Sequence, residues 1–207
     1  RPDYILDTCR GNALADFLIG LRKKSKTISN EIMLPIFSLK DYVMTMIKNM
    51  QIYNPWEYQK LKPVCDYFPS DFFQHYEIIP TSFCHGDYHP LNILWDLDSI
   101  KAVIDWEFLG EKIEIYDMAN LLGCIGIEEP SSLVNDLPLS FIKKLKDSEI
   151  ISEIGFHYLL DCVMSIRFAW LAEWFRHFDQ DMIQLEIDFL HLLDKNKLLI
   201  KEKWDMV

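Results

Sequence analysis

The stretch FCHGDYHPLNILWD, Phe83–Asp96, sets two histidines, an aspartate, an asparagine and a proline between apolar flanks. Residues 81–84, 92–95 and 100–105 are short apolar runs bounded by turn residues, and DLDS at 96–99 separates the last two. This pattern predicts short strands and a β-hairpin. Working outward, the period becomes helical. Leu14, Phe17, Leu18 and Leu21 mark one amphipathic helix over 11–24. Ser38 followed by Asp41 resembles a capping box ahead of Tyr42, Val43, Met46, Ile47 and Met50. Asn54 and Pro55 open a short helix, and Pro63, Pro69 and Pro80 predict turns and irregular pieces after it. Beyond the hairpin, helices are expected over 116–123, 137–146, roughly 152–176 and 181–201. The expected fold class is α+β and mostly helical, with one small β insertion at mid-chain.

A hairpin centred between Asp98 and Ser99 pairs residues whose numbers sum to 197. Trp95 then faces Ala102, Leu94 faces Val103 and Asn92 faces Asp105. Directly opposed residues have Cβ atoms about 4.5 to 5.5 Å apart, close enough for an amide oxygen and a carboxylate to share one hard cation. Mg²⁺ suits such a pair, because it takes one or two protein oxygens and leaves the rest to phosphate and water. Asp87 lies five residues before Asn92, on the loop feeding the first strand. The spacing H-x-D-x-x-x-x-N, then a hairpin and a second Asp, is that of a phosphoryl-transfer site. There the first aspartate orients an attacking hydroxyl while Asn and the second Asp hold metal against the phosphates. His89 reads as a residue that packs or hydrogen-bonds within the loop, and Asp117, at a helix start, is equally explained by helix capping.

The bulk numbers narrow the classes. With 32 acidic and 21 basic residues among 207, a net charge of -11 argues against nucleic acid and anionic membrane as partners. Five scattered cysteines without a C-x-x-C pair argue against a disulfide framework and a zinc site, which suits a cytoplasmic protein. Asp161, Arg167 and Glu173 interrupt the longest apolar run, so no membrane span is expected, and no signal peptide is evident.

HGDYHPLNIL, VIDWEF and EIYDMANLLG, in this order, resemble the catalytic lobe of the aminoglycoside phosphotransferase and choline kinase-like superfamily, which is similar in fold to protein kinases. GNALADFLIGL is similar to the helix that follows the hinge in that family. The resemblance implies a protein-kinase-like C-terminal lobe over 1–207. Residues 11–80 would form the helical region after the hinge, 81–123 the catalytic loop, hairpin and anchor helix, and 130–207 the acceptor-binding helices. It implies Asp87 as catalytic base, with Asn92 and Asp105 as Mg²⁺ ligands and Glu107 helping through water. His85 falls on the cofactor side as a brace of the catalytic loop, and Asp117 becomes a structural anchor. The implied co-substrate is ATP with Mg²⁺, and the implied acceptor is a hydroxyl of an aminoglycoside, of choline or a similar amino alcohol, or of a sugar.

None of the seven glycines forms G-x-G-x-x-G or a Walker A pattern, and the hinge-following helix begins about ten residues from Arg1. The N-terminal β lobe that covers the nucleotide is therefore expected to lie outside these residues, and a first residue other than Met favours a fragment over a natural truncation. On that expectation the chain alone is inactive. Among the C-terminal helices, Trp170 and Trp174 are one turn apart with Glu173 between them and Asp161 upstream. These four form a possible acceptor pocket for an ammonium-bearing substrate, although tryptophans at that spacing commonly serve the core. Two other readings are a lidless, pseudokinase-like module that binds a metabolite or partner protein, and a Mg²⁺-dependent hydrolase.

Overall fold

The computed structural model describes residues 7–28 and 34–207. Helix α1 (Thr8–Ile28) runs past the predicted limits at both ends. Helix α2 (Leu39–Tyr53) starts where the sequence signals it, with the Ser38 hydroxyl accepting from the Asp41 amide at 3.1 Å. Its Val43, Met46, Ile47 and Met50 are buried, whereas Tyr42 is 38% exposed and turns toward an open cavity.

Helix α3 (Pro55–Ser70) corrects the turns predicted around two prolines, because Pro63 and Pro69 lie inside it. Each removes a helical hydrogen bond. The stripe Leu61, Val64, Cys65 and Phe68 is buried at helical spacing and outweighs that loss. Helix α4 (Phe72–His75) follows, and Phe68, Phe72, Phe73, Tyr76 and Phe168 form an aromatic cluster with ring centroids as close as 5.2 Å.

Among the described residues, four strands form two antiparallel pairs. Strand β1 (Thr81–Cys84) pairs with β4 (Gly110–Ile113), and β2 (Ile93–Asp96) pairs with β3 (Ser99–Val103). The hairpin register differs from expectation. Leu97 and Asp98 make a two-residue turn, with Leu97 at φ 54, so Asp96 pairs with Ser99 and Trp95 with Ile100. A bulge then adds Lys101, giving Leu94 opposite Ala102 and Ile93 opposite Val103. Asn92 accordingly faces Ile104, whose amide donates to the Asn92 carbonyl at 2.9 Å, and Asp105, its predicted partner, lies one residue further along.

Helix α5 (Tyr116–Glu128) is buried along nearly its whole length and forms the centre of the molecule. Around it lie α6 (Asp136–Asp147), packed on α1, and α8 (Leu159–His177), packed between α2, α5 and α9 (Gln180–Lys195). The helix expected over 152–176 is split: α7 (Glu153–His157), capped by Ser152, is separated from α8 at Tyr158. The last predicted helix is likewise split, into α9 and α10 (Lys197–Asp205), at Asn196. Among the described residues, no helix is long and apolar enough to cross a membrane.

Candidate active site

Residues 85–92 leave β1, cross α5 and enter β2, and the chain holds this loop from three sides. From α5, both oxygens of the buried Asp117 carboxylate accept backbone amides, from His85 at 2.8 Å and Gly86 at 2.9 Å. Asp117 does not cap its own helix, whose N-cap position is Ile115. Burial pushes its carboxyl up, and the two amides pull against that shift. From α1, Phe17 stacks on Tyr88 at 5.4 Å, and the Tyr88 hydroxyl donates to the Leu14 carbonyl at 3.1 Å. From the segment after β3, the Ile104 carbonyl receives the His85 Nε2–H at 3.0 Å, while His85 Nδ1 accepts the Asp87 amide at 3.2 Å. This network assigns His85 as the neutral Nε2–H tautomer, and burial lowers its basicity.

His85 is fully buried beneath Trp106, with ring centroids 4.4 Å apart. Its placement on the cofactor side is therefore corrected: its ring cannot touch a ligand and instead orients the Asp87 backbone. Gly86 has no alternative, since φ is +86° and a Cβ would sit 2.0 Å from the Phe108 carbonyl oxygen.

The Asp87 side chain, 20% exposed, is surrounded by nitrogen. Asn92 Nδ2 donates to one carboxylate oxygen at 2.9 Å, His89 Nε2 lies 3.3 Å from the same oxygen, and Asn120 Nδ2 donates to the other at 3.4 Å. Burial alone would push this carboxyl up. The hydrogen bond and charge of His89, then the amides of Asn92 and Asn120, together hold it below the usual carboxylate range. His89 makes the contact within the loop that its position suggests, whereas Asn120 goes beyond the sequence reading. The signal for Asn120 is its position three residues after Asp117 on an otherwise apolar helix, which sets both polar groups on the face turned to the loop.

Asn92 is nearly buried, and Asp105 and Glu107 are exposed. Asp105 sits at φ +65° and makes no hydrogen bond or ion pair among the described residues. No group of three or more His, Cys, Asp or Glu able to hold a metal occurs among them. The donor set is still compatible with Mg²⁺, which needs only one or two protein oxygens. The Asn92 amide nitrogen is committed to Asp87, leaving its oxygen, and the Asp105 carboxylate is open.

A cavity of about 370 Å³ is lined by Asp87, Lys112, Tyr116, Asn120, Trp170 and Glu173, with Phe37, Tyr42 and Phe108 at its edge. A second, of about 560 Å³, lies behind His89 and is lined by Arg167, Trp170, Trp174 and Glu186. Of the four predicted acceptor residues, Trp170 and Glu173 thus border the cavity of Asp87, and Trp174 stacks on Trp170 at 6.1 Å on the neighbouring one. Glu173 is engaged by Arg176 and His177, and the hydrogen bond from Arg176 leads in bringing its carboxyl down to about 2. Asp161 is a correction. It is fully buried and ion-paired with Lys197 at 2.6 Å and Lys201 at 2.8 Å, so it ties α8 to α10 and lines neither cavity.

Residues 65–141, which include the loop, the hairpin and α5, match the model of the phosphotransferase enzyme family. No curated protein matches the chain in sequence. Among solved structures, a GDP complex of wild-type aminoglycoside 2'-phosphotransferase-IIIa superposes with a TM-score of 0.65 at 18% identity, covering 94% of this chain and 64% of its own. A GDP and kanamycin complex of APH(2")-IIia gives 0.68 at 20% identity, over 95% and 65%. The amicoumacin kinase hAmiN, in complex with AMP-PNP, Ca²⁺ and Ami, gives 0.65 at 15%, over 95% and 60%. The chain therefore spans under two thirds of the length of these structures. The sequence match to the phosphotransferase enzyme family is thus confined to residues 65–141, and the chain as a whole shares the fold of these structures, with the architecture of a kinase-like C-terminal lobe.

Proposed function

We propose that the protein of which these residues form the catalytic lobe transfers the γ-phosphoryl group of ATP to a hydroxyl of a small molecule. The observation that carries this reading is Asp87: an ionised carboxylate fixed by His89, Asn92 and Asn120, on a loop clamped by Asp117, at the wall of a cavity large enough for a small acceptor. Phosphoryl transfer asks little covalent chemistry of the protein, and positioning and charge neutralisation supply most of the acceleration. Asp87 orients the acceptor hydroxyl and takes its proton as the bond to phosphorus forms. Asn92 and Asp105 would hold Mg²⁺, with Glu107 acting through water, and that ion supplies charge neutralisation at the phosphates. Nucleotide-bearing relatives of the same fold support this reading.

The test is Asp87→Asn in the full-length protein, assayed for ADP release against amino sugars, amino alcohols and sugars. Loss of turnover by a factor of about 10² to 10⁴ with unchanged nucleotide affinity is expected for a general base. Retained turnover removes Asp87 from that role. Asp105→Asn should instead raise the Mg²⁺ concentration required, and an unchanged requirement would take Asp105 out of the metal site.

A further inference from the structure

Lys112 is not accounted for by the machinery above. It lies on β4, one of the strands that frame the catalytic loop, and is only 6% exposed. Among the described residues its ammonium donates no hydrogen bond and forms no ion pair. Its contacts are with two aromatic faces, Phe37 at 4.9 Å and Tyr116 at 5.3 Å from the ring centroids. Other inward-facing lysines of the chain are satisfied: Lys197 and Lys201 by Asp161, Lys146 by the Trp204 carbonyl. The residue is nearly buried while its ammonium opens on the cavity without an oxygen partner from the protein, and a charge so placed is stabilised by a hydrogen-bonding group supplied from that side.

Its surroundings give the direction in which it is unsatisfied. The side chain passes Gly86, where a Cβ would lie 2.9 Å from Lys112 Cε, and it borders the same cavity as Asp87. The carboxylates near that space are otherwise engaged. Asp87 is bonded by His89, Asn92 and Asn120, Asp117 by the His85 and Gly86 amides, and Glu173 by Arg176 and His177. The cavity therefore presents a proton acceptor at one place and an uncompensated cation at another.

We propose that Lys112 binds an anionic group on the hydroxyl-bearing acceptor, so that the substrates of this site are hydroxy acids rather than polycations. The hydroxyl lies at Asp87 and the carboxylate at Lys112, with Phe37 and Tyr116 holding the ammonium in place. Burial pushes the Lys112 ammonium below its ordinary value, with Cys84 and Asp117 opposing, and a bound carboxylate offsets that penalty. A charge-assisted hydrogen bond of this kind discriminates an anion from its neutral counterpart by about tenfold or more. This inference rests on the phosphotransferase reading for the role of Asp87, yet it can be tested without turnover.

The experiment is an NMR chemical-shift titration of the full-length protein with matched pairs: glycerate against glycerol, gluconate against sorbitol, serine against serinol. The carboxylate member of at least one pair should bind about tenfold more tightly. Lys112→Met should abolish that preference while leaving the affinity of the neutral member unchanged, and Lys112→Arg should retain it. A brace for the two aromatic rings alone would alter both members together. Equal binding within every pair, no binding by any carboxylate, or a preference that survives Lys112→Met overturns the proposal. So does a Lys112→Met variant whose sole defect is weaker binding of ATP, which would assign the cation to the nucleotide phosphates. Binding preference without phosphoryl transfer would instead refute the reaction and leave the role of Lys112 standing.

Discussion

Removing the Asp117 carboxylate should loosen the catalytic loop by an amount that the structure bounds. Two buried backbone amides, those of His85 and Gly86, have this one side chain as their acceptor. An unsatisfied buried N–H costs about 1 to 3 kcal/mol, so Asp117→Ala should destabilise the protein by about 2 to 6 kcal/mol. That is a large share of the roughly 5 to 15 kcal/mol that holds a domain folded. Asp117→Asn keeps one oxygen and turns an amide donor toward the second N–H. It also relieves the buried charge whose desolvation pushes the Asp117 carboxyl up, so its loss should fall at the low end, about 1 kcal/mol. The assay is equilibrium urea denaturation of the three proteins, joined to hydrogen exchange at the two amides. The expected order is wild type, then Asn, then Ala, with His85 and Gly86 exchanging faster in both variants. An Ala variant within about 0.5 kcal/mol of wild type, or unchanged protection of both amides, would refute the clamp.

Three further outcomes follow from the same geometry. Arg167 and Glu186 form a buried bidentate pair beneath Trp170, so Glu186→Gln should cost about 3 to 5 kcal/mol by urea denaturation, and Arg167→Met with Glu186→Leu should recover most of it; additive losses would contradict a coupled pair. The folded pKa of Asp87 is depressed, so its contribution to stability is present above the unfolded value of about 3.9 and is lost as pH falls through the folded value. The stability difference between wild type and Asp87→Asn should thus change as pH falls below about 4, and a difference that stays constant through that range would contradict the assignment. Burial pushes the Cys65 thiol up to about 12 and that of Cys124 to about 11, and raises those of Cys84 and Cys162, whereas Cys9 is exposed. Iodoacetamide near neutral pH should therefore give one rapid adduct by mass spectrometry, at Cys9, and rapid labelling of any of the other four would show that burial to be wrong.

The catalytic loop was legible because its chemistry is local. Asp87 and Asn92 are five residues apart, and their contact forms within one turn of chain and one short helical piece. The helix cap at Ser38 was legible for the same reason. What escaped depends on groups brought together from afar. Strand β4 reads GEKI, two charges and a glycine around one aliphatic residue, and nothing in that pattern announces a strand until β1 pairs with it. The same disguise hid Lys112, a charge whose burial is dictated by Phe37 and Tyr116. The hairpin register turned on the left-handed backbone of Leu97 and the bulge at Lys101, neither of which the residue types demand. Asp161 looked like an acceptor ligand from its neighbours in sequence, but its partners Lys197 and Lys201 come from a helix nearly forty residues away. Pro63 and Pro69 favour turns by local preference, and a buried stripe overrules them.

The most direct test of the central claim is ³¹P NMR of the full-length protein incubated with ATP, Mg²⁺ and a mixture of hydroxylic small molecules, wild type beside Asp87→Asn. A new phosphomonoester resonance that grows with wild type and is lost with Asp87→Asn is the predicted result. Inorganic phosphate as the sole product, or an ester formed equally well by the variant, would contradict phosphoryl transfer to an acceptor held at Asp87.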